Sequence, residues 1–289
     1  MTIGTKIIDT HNHLWKLQQN ENFSWILDGM DRIRRDFFFD DLEKVLTDNQ
    51  VTGSILVQAI PVMEESEWLL DLADKHEIIK GVIGWCDVRK GSVAVQTAID
   101  RLRRKGSLLK GIRFMSQGLP PKHLLESDFI EGCCTVGKNG LVYELLVTAD
   151  QLPQTLELVR ACPEVSFVIE HIAKPAIKSQ EIRAWKENMR KIAQLSNKIY
   201  CKISGMVTEA EWHQWMQKDF EPYMDVVYEA FGQDRIMFGS DWPVSLVAAD
   251  YHQVVQIVNE WLAKHTDIDC DKVFYKNAVK VYKITDVID

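Results

Sequence analysis

The chain has 289 residues, 46 % hydrophobic and 26 % charged, a balance that fits a soluble globular protein and excludes a disordered or fibrous one. A count of 42 acidic against 34 basic residues gives a net charge of −8, which argues against nucleic acid, a partner usually met by a basic face. No run of 18 apolar residues offers a membrane span and Met1 to Lys6 lacks the apolar stretch of a signal peptide, so a cytoplasmic protein is expected.

Eight short runs rich in β-branched and apolar residues read as strands buried on both faces. They begin near Ile7 (IIDTH), Ser54 (SILVQ), Gly81 (GVIGWC), Lys110 (KGIRF), Leu141 (LVYELLV), Ser166 (SFVIEH), Ile199 (IYCKIS) and Arg235 (RIMFGSD). Helical patterns lie between them. Glu64 to His76 places Trp68, Leu69, Leu72 and Ala73 on one face. Gln96 to Lys105 carries Ala98, Ile99 and Leu102 on one side and Arg101, Arg103 and Arg104 on the other. A last helix is expected from Cys270 to Tyr282. Each strand-plus-helix unit needs about 30 residues, so the fold class expected is α/β, a single (β/α)8 TIM barrel forming one domain over residues 1–289. The rival open sheet lacks its sign, because neither a G-x-G-x-x-G nor a G-x-x-x-x-G-K-[ST] loop occurs.

The first strand-to-strand interval is the longest. Its extra segment, residues 14–40, reads as a long first βα loop over the active face, a partial lid. Its Phe37, Phe38 and Phe39 are expected to pack the loop down onto the barrel rim. The six cysteines, Cys86, Cys133, Cys134, Cys162, Cys201 and Cys270, contain no C-x-x-C pair and read as reduced thiols.

In such a barrel, function sits at the C-terminal ends of the strands. The first run ends in Asp9-Thr10-His11-Asn12-His13, and strand alternation turns His11 and His13 to the same side, where two imidazoles can grip one metal ion or one substrate oxygen. The sixth ends at Glu170-His171 and the eighth at Gly239-Ser240-Asp241-Trp242-Pro243. Closure of a barrel makes the first and eighth strands neighbours, which brings Asp241 beside His11 and His13. The fourth run offers Arg113, whose donor fork suits a carboxylate or carbonyl. Gln58, Trp85 and Lys174 are expected near the mouth as substrate contacts, as are Trp15 and Trp242, while Asp87 and Lys202 read as structural.

In these residues the chain resembles the amidohydrolase superfamily. The strings IDTHNHLW, KGIRF, IEHIAKP, GSDWPV and KNAVKVY resemble its lactonase group, which includes L-fucono- and L-rhamnono-lactonases and 2-pyrone-4,6-dicarboxylate lactonase. The resemblance implies a lactone hydrolase with Asp241 as general acid/base, His171 beside it, and His11, His13, His171 and Asp241 as metal ligands. One departure limits the metal to a single ion. The lysine or carboxylate that bridges two ions on the fourth strand is replaced by Arg113, and no histidine ends the fifth, at Thr148-Ala149-Asp150. One zinc or other divalent ion fits this inventory, and so does a metal-free site. With Arg113 at a strand end and Lys174 and Arg89 as loop candidates, the cations are too few for a dicarboxylate and a neutral aldonolactone fits better. The alternatives are a zinc-dependent decarboxylase or other carboxyl-derivative hydrolase, and a barrel that binds a metabolite without turning it over.

Overall fold

The eight apolar runs become eight strands. A computed structural model describes residues 6–17 and 21–285 of the chain. The strands are β1 (Ile8–Asn12), β2 (Gly53–Val57), β3 (Ile79–Gly84), β4 (Leu109–Met115), β5 (Val142–Leu146), β6 (Ser166–Ile169), β7 (Ile199–Ile203) and β8 (Ile236–Phe238). Each pairs in parallel with the next in chain order. β1 and β8 meet through single bonds that close the circle. Thr10 Oγ1 donates to the Phe238 carbonyl at 2.6 Å. Asp241 N donates to His11 O and His13 N to Trp242 O, each at 2.8 Å. The result is a (β/α)8 barrel.

The helices are α1 (Phe39–Asp48), α2 (Met63–Ala73), α3 (Gly91–Lys105), α4 (Ser127–Lys138), α5 (Leu152–Ala161), α6 (Arg183–Ala193), α7 (Glu221–Phe231), α8 (Tyr251–Lys264) and α9 (Asn277–Tyr282). α3 starts before the expected Gln96, because Val95 extends the buried stripe of Ile99 and Leu102 by one turn. The last helix is not regular from Cys270 on; a π-helical turn over Lys272–Lys276 precedes α9. Among the described residues, no helix is long and apolar enough to cross a membrane.

Alternation along the strands sorts the interior into storeys. At the lower end Ile8, Ile55, Val142, Val168, Tyr200 and Met237 form an apolar cluster, capped by Ala278, Val281 and Tyr282 of α9. Two residues further along their strands the same inward rows become ionic, at Glu144, Glu170 and Lys202, all fully buried.

In the first βα segment, Trp15 and Phe37 pair their backbones, and Trp15 packs on Phe23, Trp25 and Phe37. Phe37 and Phe39 are buried as expected, but Phe38 is 42 % exposed. Phe38 is the extended residue that caps α1, so alternation turns its ring outward while its neighbours turn in.

Candidate active site

The upper end of the barrel carries a cavity of about 250 Å³. His13, Arg113, His171 and Asp241 line it. Asp241 Oδ1 lies 3.7 Å from His11 Nε2, 3.5 Å from His13 Nε2 and 3.8 Å from His171 Nε2. All four side chains are almost wholly buried.

Local backbone geometry makes this convergence possible. His171 and Asp241 both sit at positive φ, 51° and 58°, so each side chain leaves its strand direction and swings over the mouth. Two glycines leave room for the imidazoles. A Cβ on Gly205 would come within 2.4 Å of His171 Nδ1, and one on Gly239 within 2.8 Å of His11 Cβ. The β1–β8 seam is tied by Asp9, whose carboxylate accepts from Ser240 N at 2.8 Å, Ser240 Oγ at 2.6 Å, Tyr251 Oη at 2.9 Å and His11 N at 3.0 Å. One buried carboxylate thereby fixes the backbones of both His11 and the Asp241 loop.

Hydrogen bonding assigns the tautomer of His13. The Val57 carbonyl, which can only accept, lies 2.7 Å from His13 Nδ1, so that nitrogen carries the proton and Nε2 presents its lone pair. Glu170 Oε1 and Lys202 Nζ each lie 3.3 Å from His11 Nδ1, so a carboxylate and an ammonium face the same ring nitrogen. His171 Nδ1 meets Ser204 Oγ at 3.0 Å. Burial holds His11 well below the ordinary imidazole pKa, and lowers His171 to about 4, so both rings are neutral near pH 7. Burial alone would raise Asp241, but His171, His13 and Lys174 outweigh it and keep the group a carboxylate.

These residues fit one cation. His11 Nε2 and His13 Nε2 stand 3.1 Å apart, a separation that a shared proton or a cation between them satisfies. A tetrahedral zinc with bonds near 2.1 Å sets its ligands about 3.4 Å apart, close to the separations found here. His11, His13 and Asp241 form one set able to hold an ion, and His11, Glu170 and His171 another. The second is compromised by cations: Arg113 Nη1 lies 2.9 Å from Glu170 Oε2, and Lys202 Nζ 3.9 Å from Glu170 Oε1.

The expected substrate contacts divide. Arg113 reaches the cavity, but its guanidinium is already engaged by Glu170 and by the Gln58 carbonyl. Lys174 lines the cavity and pairs with Glu209 at 2.8 Å. Gln58 is fully buried and its side chain is not part of the lining. Trp85 also stands outside the lining. Trp242 is 2 % exposed and packs edge-on to Phe37 at 5.2 Å, because the residue after Asp241 points to the opposite side of the chain. Trp15 is buried in the loop's own cluster. The indoles at the cavity are instead Trp25 and Trp212, from loops that carry no periodicity to mark them. Asp87 does what a structural residue does, accepting from Arg89 N at its own 3-10 turn.

Lys202 is structural in a more specific sense than expected. Its ammonium lies 2.6 Å from Glu144 Oε2 and 3.3 Å from His11 Nδ1, and Tyr282 Oη donates to Glu144 Oε1 at 2.6 Å. Burial pushes Glu144 up to about 8 against the pull of Lys202. The network of Arg113, Glu144, Glu170 and Lys202 had one sequence signal, ionisable residues inside apolar strands, since a buried charge requires a partner.

Comparison with known proteins agrees with this architecture. The family model described as amidohydrolase matches residues 8–284. An L-fucono-1,5-lactonase of Burkholderia ambifaria is 33 % identical over 287 residues, covering 96 % of this chain and 95 % of that protein. An L-rhamnono-gamma-lactonase of Scheffersomyces stipitis is 27 % identical over 237 residues, covering 73 % of this chain and 70 % of that protein. A crystal structure of an amidohydrolase from Burkholderia multivorans with bound zinc superposes with a TM-score of 0.89 at 30 % identity, covering 97 % of this chain and 100 % of that one. With this match running from β1 to α9, the chain belongs to the amidohydrolase family, in its lactonase group.

Proposed function

We propose that the protein hydrolyses the ester ring of a sugar lactone, an aldonolactone in particular, with Asp241 as general acid/base. The observation that carries this reading is the stand of one buried carboxylate against three imidazole Nε2 atoms on the floor of a cavity sized for a small molecule. The sugar-lactonase names of the relatives support it.

Water beside Asp241 attacks the ring carbonyl carbon. Asp241 takes the water proton and returns it to the ring oxygen as the carbon–oxygen bond breaks, leaving an open hydroxy acid. Since Asp241 titrates below an ordinary aspartate, it is a weak base, and the water it deprotonates must be made more acidic. A divalent ion, zinc in this reading, held by His11, His13, His171 and Asp241, would supply that acidity and would polarise the carbonyl. Arg113 orients the carbonyl side of the substrate, and Glu170 and Lys202 hold His11 in place beneath it. Trp25, Leu27 and Met30 bring the first βα loop to the cavity wall, where it acts as a partial cover that limits water.

The test is a lactone panel run with elemental analysis of the purified protein. Ring opening of an aldonolactone, lost with chelator and restored by zinc, is the expected result. Failure to open any lactone, together with carbon dioxide release from an aromatic carboxylate, overturns the reading in favour of decarboxylation.

A further inference from the structure

The floor of the cavity accounts for ring opening but not for the choice of ring. One wall is built differently from the floor. Lys174, held at φ 45° after the 3-10 turn that follows β6, sends Nζ to Glu209 Oε1 at 2.8 Å. Thr208 Oγ1, from the turn after β7, donates to the Gly205 carbonyl at 2.7 Å and lies 3.1 Å from the same Glu209 oxygen. Among the described residues Glu209 Oε2 makes no hydrogen bond, so it remains to accept from a ligand. The Lys174 and Glu209 side chains are 17 % and 26 % exposed, within reach of a solute in the cavity they line.

Further polar atoms of the lining are unsatisfied. Gln117 Oε1 and Trp25 Nε1 are buried and lack a hydrogen-bond partner among the described residues. Buried donors and acceptors are normally paired, and an orphaned set around one cavity is what a hydrogen-bonding ligand would complete. Trp212 is fixed by its own bond, Nε1 to Thr208 O at 2.9 Å, and offers a hydrophobic ring beside the pair. A side-by-side ammonium and carboxylate donate and accept at the spacing of neighbouring hydroxyls on a polyol, while an aromatic ring covers the carbon face of a sugar.

We propose that Lys174, Thr208 and Glu209, with Gln117 and Trp25 contributing their unpaired atoms, form a polyol-reading subsite that selects hydroxylated lactones over unsubstituted ones. This inference rests on the lactonase reading. It assigns recognition to loop residues that take no part in the proton transfers.

The experiment compares L-fucono-1,4-lactone, rich in hydroxyls, with δ-valerolactone, which has none, on the wild type, Glu209→Ala and Glu209→Gln. Glu209→Ala is expected to lower kcat/KM at least tenfold more on the hydroxylated lactone than on δ-valerolactone, chiefly through KM. Glu209→Gln, which keeps an acceptor, falls between. If δ-valerolactone is not opened, its inhibition constant against the hydroxylated lactone replaces the second rate. Equal losses on both lactones, or no loss on either, with unchanged Tm, overturn the subsite. A wild type that opens neither lactone overturns the lactonase reading, and the subsite falls with it.

Discussion

The two ends of the barrel are made by the same strands and have opposite chemistry. At the lower end Ile55, Val142, Val168 and Met237 meet the apolar face of α9. At the upper end the continuation of those inward rows is Arg113, Glu144, Glu170, Lys202 and the imidazole cluster. Burying ions costs several kcal/mol each before pairing restores it, whereas burying an aliphatic side chain stabilises by about 1.5–3 kcal/mol. The lower storey supplies the stability that the upper storey consumes in holding charged groups beside the cavity. Substitutions at one end should therefore cost activity, and at the other stability.

The largest expected effect is at the top. Asp241→Asn should lower kcat/KM on an aldonolactone about 10³–10⁴-fold, while Tm measured by circular dichroism stays within a few degrees. Turnover within tenfold of the wild type would remove Asp241 from the proton transfers. Ile55→Ala tests the bottom. Ile55 is fully buried, and its truncation should cost about 2–5 kcal/mol in urea unfolding, with kcat/KM nearly unchanged at a permissive temperature. A large loss of activity there would join the two storeys more tightly than the structure suggests.

Glu170→Gln lies at the boundary. It removes the carboxylate charge that faces His11 Nδ1 at 3.3 Å, and a chelator-competition titration should show zinc affinity reduced about 10–100-fold. An unchanged affinity would assign the orientation of His11 to Lys202 instead. The smallest effect concerns Glu65, above β2, which accepts from Ala59 N at 2.9 Å and Ile60 N at 3.1 Å. Burial raises its pKa to about 8 from the ordinary 4.5. The folded protein therefore keeps a proton that the unfolded chain has released, and the contribution present below pH 4.5 is lost as pH rises to 8. Between pH 5 and pH 8 the wild type should lose Tm relative to Glu65→Gln, whose amide does not titrate. Equal slopes would mean that Glu65 is already ionised in the fold.

Most of the barrel was legible because its signals are local. Apolar runs such as SILVQ and SFVIEH need no partner to be recognised, and their spacing counts the units. The meeting of His11, His13, His171 and Asp241 followed from reading what each strand carries at its end. The loops were not legible. Trp25, Gln117, Glu209 and Trp212 lie in segments without periodicity, where only the fold decides which side chains face the cavity. Trp242 shows the opposite error: adjacency to Asp241 suggested a shared site, yet successive side chains diverge and its ring joined Phe37 in the outer layer.

The seam between β1 and β8 has a consequence for assembly. His11 and Asp241 come from the first and last strands, and their backbones are bonded directly to each other and through Asp9. No partial barrel contains both halves of this centre. A nascent chain that stops before β8, or a frayed molecule in which β8 has peeled from β1, has His11 and His13 without Asp241. With the role proposed for Asp241, chemistry is withheld until the circle is complete, and activity doubles as a report that the last strand has docked on the first.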